Sequence, residues 1–209
     1  MPTGTSATEP SGAEPSSTTA DSPGASTTST TTTTTTTTTS ETSTTEPTTE
    51  TPTTEATPDP DRPEDPAEAA WYDAVATEHA AIYGYGVVSA HVLPDNNDLV
   101  SQSVAEHRDR REAALKILAE RSAKAPLPAS GYQLPMVVGS QKTAAKLAAR
   151  METDCAVAWR AVLEQADADA ASDREFGAKA LSQCAVLAAR WRKVLGAWPV
   201  TEAFPGGTE

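Results

Sequence analysis

The stretch from Met1 to about Asp65 holds hardly any aliphatic or aromatic side chain, so no core can form from it and any fold must come from the rest of the chain. It is Thr, Ser, Pro, Glu and Gly, with an unbroken threonine run from Thr30 to Thr39. Eleven acidic residues up to Asp65 stand against Arg62 alone, a net of 1 − 11 = −10, while the remaining 15 basic and 18 acidic residues leave −3. Residues 1–64 are therefore expected to be a disordered, low-complexity acidic tail, and residues 65–209 a single folded domain. Such a tail is repelled by nucleic acid and anionic lipid, and the nearly balanced domain shows no basic stripe, so no nucleic-acid partner is expected.

The start MPTGTSATEP has neither a basic n-region nor an apolar h-region, and no apolar run approaches the ~18 residues of a membrane span. Read literally, the chain is cytoplasmic. Ser/Thr-rich stretches with interspersed Pro nevertheless resemble the stalks of exported proteins, and a signal or lipobox upstream of Met1 would place the domain at the cell envelope.

Helix signals begin at Asp65-Pro66-Ala67-Glu68, with Asp as N-cap, Pro in the first turn and Glu three residues after the cap. A first helix is predicted to about Leu93, then a turn over Pro94–Asp98, and a second, antiparallel helix from about Asp98 to Lys124. Pro126, Pro128, Gly131 and Pro135 exclude regular helix between Ala125 and Gly139. About 14 extended residues reach about 45 Å, more than the ~39 Å of a 26-residue helix, so this loop can cross the whole bundle. A third helix is predicted from Ser140 to about Asp167, parallel to the second. A fourth follows from a capping box at Ser172-Asp173-Arg174-Glu175 to about Gly196. Two hairpins joined by one long crossover make the fold class all-α, a ferritin-like four-helix bundle. Trp71, Trp159, Trp191, Leu163 and Leu195 are its expected core, and Trp198 to Phe204 is expected to pack across one end.

The two cysteines, Cys155 and Cys184, are equidistant from the predicted turn near residue 169.5 and so lie level in an antiparallel hairpin. That allows a disulfide in an oxidising compartment; the alternative is two buried thiols in a reducing one.

Glu78 interrupts the apolar seam Trp71, Val75, Glu78, Ile82, Tyr85, Ser89, Val92, whose 3-4 spacing marks one helix face. A buried carboxylate costs several kcal/mol unless a metal, cation or donor answers it. Level matching brings Arg110, Arg111, Glu152 and Arg190 to its height, with His79 and His107 nearby. A carboxylate-bridged di-iron site needs a Glu-x-x-His pair on each of two helices, and neither pair exists: three residues after Glu106 stands Asp109, three before His107 Val104 and three before His79 Ala76, and helix 4 after Glu175 has no Glu, Asp or His. Glu78, His107 and Glu152 remain the residues that a mononuclear iron or manganese ion would use. The commoner outcome is no cofactor and an ion-pair network, with Arg110, Arg111 and Arg190 neutralising the carboxylates.

Tyr83-Gly84-Tyr85-Gly86 puts two glycines inside a helix, which points to close approach of a neighbour or to a small-ligand cleft beside Tyr83 and Tyr85. No phosphate loop, nucleophile elbow or CxxC pair is present, and no catalytic residue is assigned. Taken in order, EHAAIYGYG from Glu78, HRDRRE from His107, METDCAVAW from Met151, and AARWRKVLG with the later FPG at Phe204 resemble an actinobacterial ferritin-like domain family of unknown function. The resemblance covers about Ala67 to Gly207 and implies a ferritin-like bundle without an activity to carry over. Two functions stay open: a metal-free binding or structural module with a protein or small-molecule partner, a homodimer included, or a metal-binding or redox protein with a degenerate carboxylate site.

Overall fold

The computed structural model describes residues 59–207, so the tail expected over residues 1–64 lies outside the described residues except for its last few. Those few are tied to the domain. Tyr72 Oη donates to Asp59 Oδ2 at 2.9 Å, and Arg62 grips Asp73 through both carboxylate oxygens at 2.8 and 2.6 Å. The folded part therefore begins before the Asp65 boundary read from composition.

Among the described residues there are four α-helices and no strand: α1 Pro66–Ser89, α2 Asn97–Glu120, α3 Gln141–Gln165 and α4 Ala171–Leu195. Asp65 caps α1 by accepting from Glu68 N, as its sequence predicts. The helix ends four residues earlier than expected because Leu93 is extended ahead of Pro94, and a 3-10 turn Pro94–Asn96 fills the gap. α2 also stops early. Ser122 takes a positive φ of 57°, and Ala123 N donates back to Leu118 O at 2.9 Å, closing the helix in a Schellman turn. The capping box sits at Ser140 and Thr143 of α3, not at Ser172; α4 starts after Ala170 with no side-chain cap. Asp173, expected as part of that box, instead accepts from Trp71 Nε1 at 3.1 Å and from both Nη atoms of Arg121.

Cross-helix pairs set the topology. Tyr85 meets Glu152 and Trp71 meets Trp159, so α1 and α3 run antiparallel. Arg121 meets Asp173 and Gln102 meets Arg190, so α2 and α4 do likewise. With Arg121–Ser140 as the crossover, α2 and α3 are parallel, and the chain forms two hairpins joined by one long connection. Among the described residues no helix is long and apolar enough to cross a membrane.

The core falls into two apolar clusters along the bundle. One gathers Trp71, Val75, Leu118, Cys155, Trp159, Val162 and Cys184; the other gathers Tyr85, Val88, Leu147, Leu187 and Trp191. Each fully buried large side chain contributes about 1.5–3 kcal/mol, so the three buried tryptophans weigh heavily in a domain whose helix contacts are otherwise alanine-rich. Leu163 and Leu195 are only half-buried. The C-terminal segment does not cap an end: it runs back beside α3, where Gly206, at φ 76°, lies so close that an added Cβ would stand 2.6 Å from Ala156 O. Trp198 and Phe204 stay 89% and 71% exposed.

The two glycines of α1 differ in cause. A Cβ on Gly84 would stand 2.2 Å from Met151 Sδ, whereas one on Gly86 would meet nothing within 4 Å. Gly86→Ala should therefore stabilise the domain by about 0.5–1 kcal/mol through helix propensity. Gly84→Ala should lose that gain because Met151 must be displaced from a packed position. Denaturant midpoints of the two variants check this, and equal shifts would contradict it.

Candidate functional site

Between the two apolar clusters lies a buried polar layer. Glu78 on α1, His107 and Arg110 one turn apart on α2, and Glu152 on α3 all point inward, with Glu78, His107 and Glu152 wholly inaccessible and Arg110 5% exposed. On Glu78, Oε1 accepts from Arg110 Nε at 2.9 Å and from Trp159 Nε1 at 2.7 Å, and Oε2 accepts from His107 Nδ1 at 2.6 Å. On Glu152, Oε1 accepts from Tyr85 Oη at 2.5 Å and from His107 Nε2 at 3.1 Å. Both imidazole nitrogens thus face carboxylate oxygens that can only accept, which makes His107 an imidazolium bridging α1 and α3. Arg110 Nη2 is 2.9 Å from His107 Nδ1, a donor-to-donor approach that the shared partner Glu78 compensates. With two carboxylates, one imidazolium and one guanidinium, the layer is neutral without any added ion.

Its titration follows from that geometry. Burial opposes the charge on His107 more than any other single influence, yet Glu152 and Glu78 together raise its pKa to about 10. Burial likewise pushes Glu78 up, but His107, Arg110 and Trp159 outweigh it and hold the carboxyl below its ordinary range. Tyr85 is raised well above 10 by burial and the Glu152 charge, so it is a neutral donor. Three buried polar atoms have no hydrogen-bond partner among the described residues: Glu152 Oε2, His79 Nε2 and Arg110 Nη1, the last facing Glu106 Oε2 at 3.8 Å.

Of the residues expected at this centre, Glu78, His107, Arg110 and Glu152 are together and Arg111 and Arg190 are not. Arg111 pairs with Glu112 at 2.5 Å, and Arg190 donates to Gln102 at 2.6 Å on an exposed face. Level matching fixed their height but not their rotation: Arg111 is ~100° around α2 from Arg110, and Arg190 is flanked by the inward-facing Leu187 and Trp191. Rotation also separates Tyr83 from Tyr85, the pair expected beside a cleft. Two residues apart on a helix means opposite faces, so Tyr85 is buried while Tyr83 is 42% exposed and packs on Tyr132 at 5.5 Å. Cys155 and Cys184 do lie level and buried, but as free thiols, which corrects the disulfide. Their Sγ atoms and a Glu78 oxygen are all within 4.8 Å of one another.

Comparison with known proteins places the chain in a family. A family model described as Domain of unknown function (DUF4439) matches residues 70–209. The chain belongs to that family. It is also similar to the crystal structure of a conserved hypothetical protein from Mycobacterium tuberculosis, at 54% identity over 66% of this chain and 97% of that one, with a TM-score of 0.60. No curated protein matches the chain.

The raised pKa of His107 has a sign. Its stabilisation is fully present below about 6.5, the ordinary value, and is lost as pH rises through about 10. That of Glu78 is present above 4.5 and lost as pH falls. Unfolding free energy should therefore decline between pH 6.5 and 10, by a few kcal/mol in order of magnitude. His107→Gln should flatten the decline in urea titrations, and an unchanged slope would contradict the assignment.

Proposed function

We propose that the domain is a ferritin-like bundle working as a binding or structural module, with its central carboxylates answered by its own guanidinium and imidazolium in place of iron or manganese. The observation that carries this reading is the occupancy of Glu78 by the protein's own donors, three of its four lone-pair positions accepting from Arg110, Trp159 and His107. A hard cation bridging Glu78 and Glu152 would have to displace His107, and α4 offers Cys184 and Leu187 at this level where a di-iron site needs carboxylate and imidazole. The donor set does not fit such a centre, and no catalytic group is assigned.

Exposed apolar side chains on α4 and the segment after it, Val186, Trp198 and Phe204, support a contact role with a protein partner, a second copy included. The reading is the same in the cytoplasm or at the cell envelope.

The test is metal content against stability. After anaerobic incubation with Fe(II) or Mn(II) and desalting, the full chain should retain well below one ion per molecule. Glu78→Ala should lower stability by about 3–5 kcal/mol, because it strands Arg110 and His107 in the core. Stoichiometric iron or manganese in the wild type, absent from that variant, would overturn the proposal.

A further inference from the structure

The carboxylate layer does not use the two thiols beside it. Cys155 on α3 and Cys184 on α4 are both wholly buried, and with Glu78 on α1 they bring three ligand-bearing atoms from three helices within 4.8 Å of one another. Glu78 has acceptor capacity left for such a role, since its two oxygens accept three hydrogen bonds and a carboxylate offers about four lone-pair positions. One member of the trio also borders a cavity. Cys155 lines a cavity of ≈ 460 Å³ between α1, α3 and the crossover, whose wall includes the Met151 thioether and the Asp154 carboxylate.

We propose that Cys155, Cys184 and Glu78 form a binding site for a divalent thiophilic cation, zinc in the first instance. Soft thiolates select zinc over magnesium, calcium or manganese, which prefer all-oxygen shells. Charge decides the valence. The layer is neutral with both thiols protonated, and Arg110 is near enough to feel any charge on Cys184 and Cys155. Binding breaks two S–H bonds, forms two S–Zn bonds and releases two protons to solvent, so two positive charges leave as two enter. No electron moves. A monovalent ion would leave the same buried site one charge negative.

Tetrahedral zinc with ~2.3 Å bonds to sulfur and ~2.0–2.2 Å to oxygen sets its two sulfurs about 3.8 Å apart and each sulfur about 3.6 Å from the oxygen, so from within 4.8 Å the trio closes by little more than ~1 Å. Three protein ligands leave the fourth position to water. This site shares Glu78 with the reading given for the carboxylates, which concerns hard cations bridging Glu78 and Glu152.

The experiment uses the full chain kept reduced with a phosphine. Zinc is titrated against a chromophoric chelator with proton release followed in weak buffer, and cadmium then serves as a spectroscopic substitute whose thiolate bonds absorb in the near ultraviolet. One zinc per chain, about two protons released per zinc and a cadmium–thiolate band are expected. Zinc should also shield both thiols from alkylation. Cys155→Ala and Cys184→Ala should each weaken binding by more than the about 10- to 100-fold typical of losing an outer-shell partner. Should either variant fail to fold, the band and the thiol protection of the wild type still decide. No retained zinc, zinc held equally by both cysteine variants, binding without proton release, or thiols alkylated equally with and without zinc would overturn the proposal. Because manganese prefers an all-oxygen shell, its retention reports on the carboxylates alone while the cysteine variants report on the zinc site, so either result leaves the other interpretable.

Discussion

The bond between Glu78 and Arg110 is the constraint from which the centre of this bundle is built. An ionised carboxylate in an apolar interior is tolerable only with an opposite charge and hydrogen-bond donors beside it, and Arg110 supplies the charge that cannot be titrated away. With that pair in place, His107 can sit one turn along α2 as a second cation, because Glu78 and Glu152 each take one of its nitrogens. Glu152 in turn holds the Tyr85 hydroxyl, returning the chain of contacts to α1. Three helices are thereby pinned at one height, and α4 closes the layer with side chains that make no claim on it, Cys184 and Leu187.

This layer also explains how so alanine-rich a domain acquires a defined register. Alanine faces slide past one another at little cost, since each contact buries little area. The polar layer permits one alignment, because any shift by a turn would strand a charge in one of the two apolar clusters that flank it. At one end of the bundle Asp173 makes the same kind of statement more weakly. It joins Trp71 and Arg121 from two other helices, and Arg121, 37% exposed, keeps water as an alternative partner.

What could be read from the sequence follows from how local each cause is. Asp65, Pro66, Ser140 and Gly196 bound their helices as expected, since capping is chemistry between near neighbours. The ends of α1 and α2 were harder, because an extended Leu93 and a left-handed Ser122 depend on how the chain turns into the next element. Glu78 was visible as a carboxylate in an apolar seam, and matching heights found Arg110, His107 and Glu152. Height does not give rotation about the helix axis, so level matching alone cannot tell that Arg190 faces out or that Arg111, half-buried, turns to Glu112. Trp159 and Tyr85 went unread as donors because each counts as apolar in a periodicity argument, although a buried indole or phenol needs a partner for its polar end.

The guanidinium and the thiols divide the chemistry of the layer between them. Arg110 is a cation that cannot dissociate, so it stays paired with Glu78 however the neighbouring groups titrate. A further positive charge can enter only where an equal number of protons can leave, and the carboxylates have none to give. The thiols do. Cys155 is held protonated by its hydrogen bond to Cys184 and by burial, so it costs the folded core no charge while it waits. A site that is neutral when empty and neutral when filled by a divalent ion needs no rearrangement of the ion pairs beside it, and so the register of the bundle is preserved in both states.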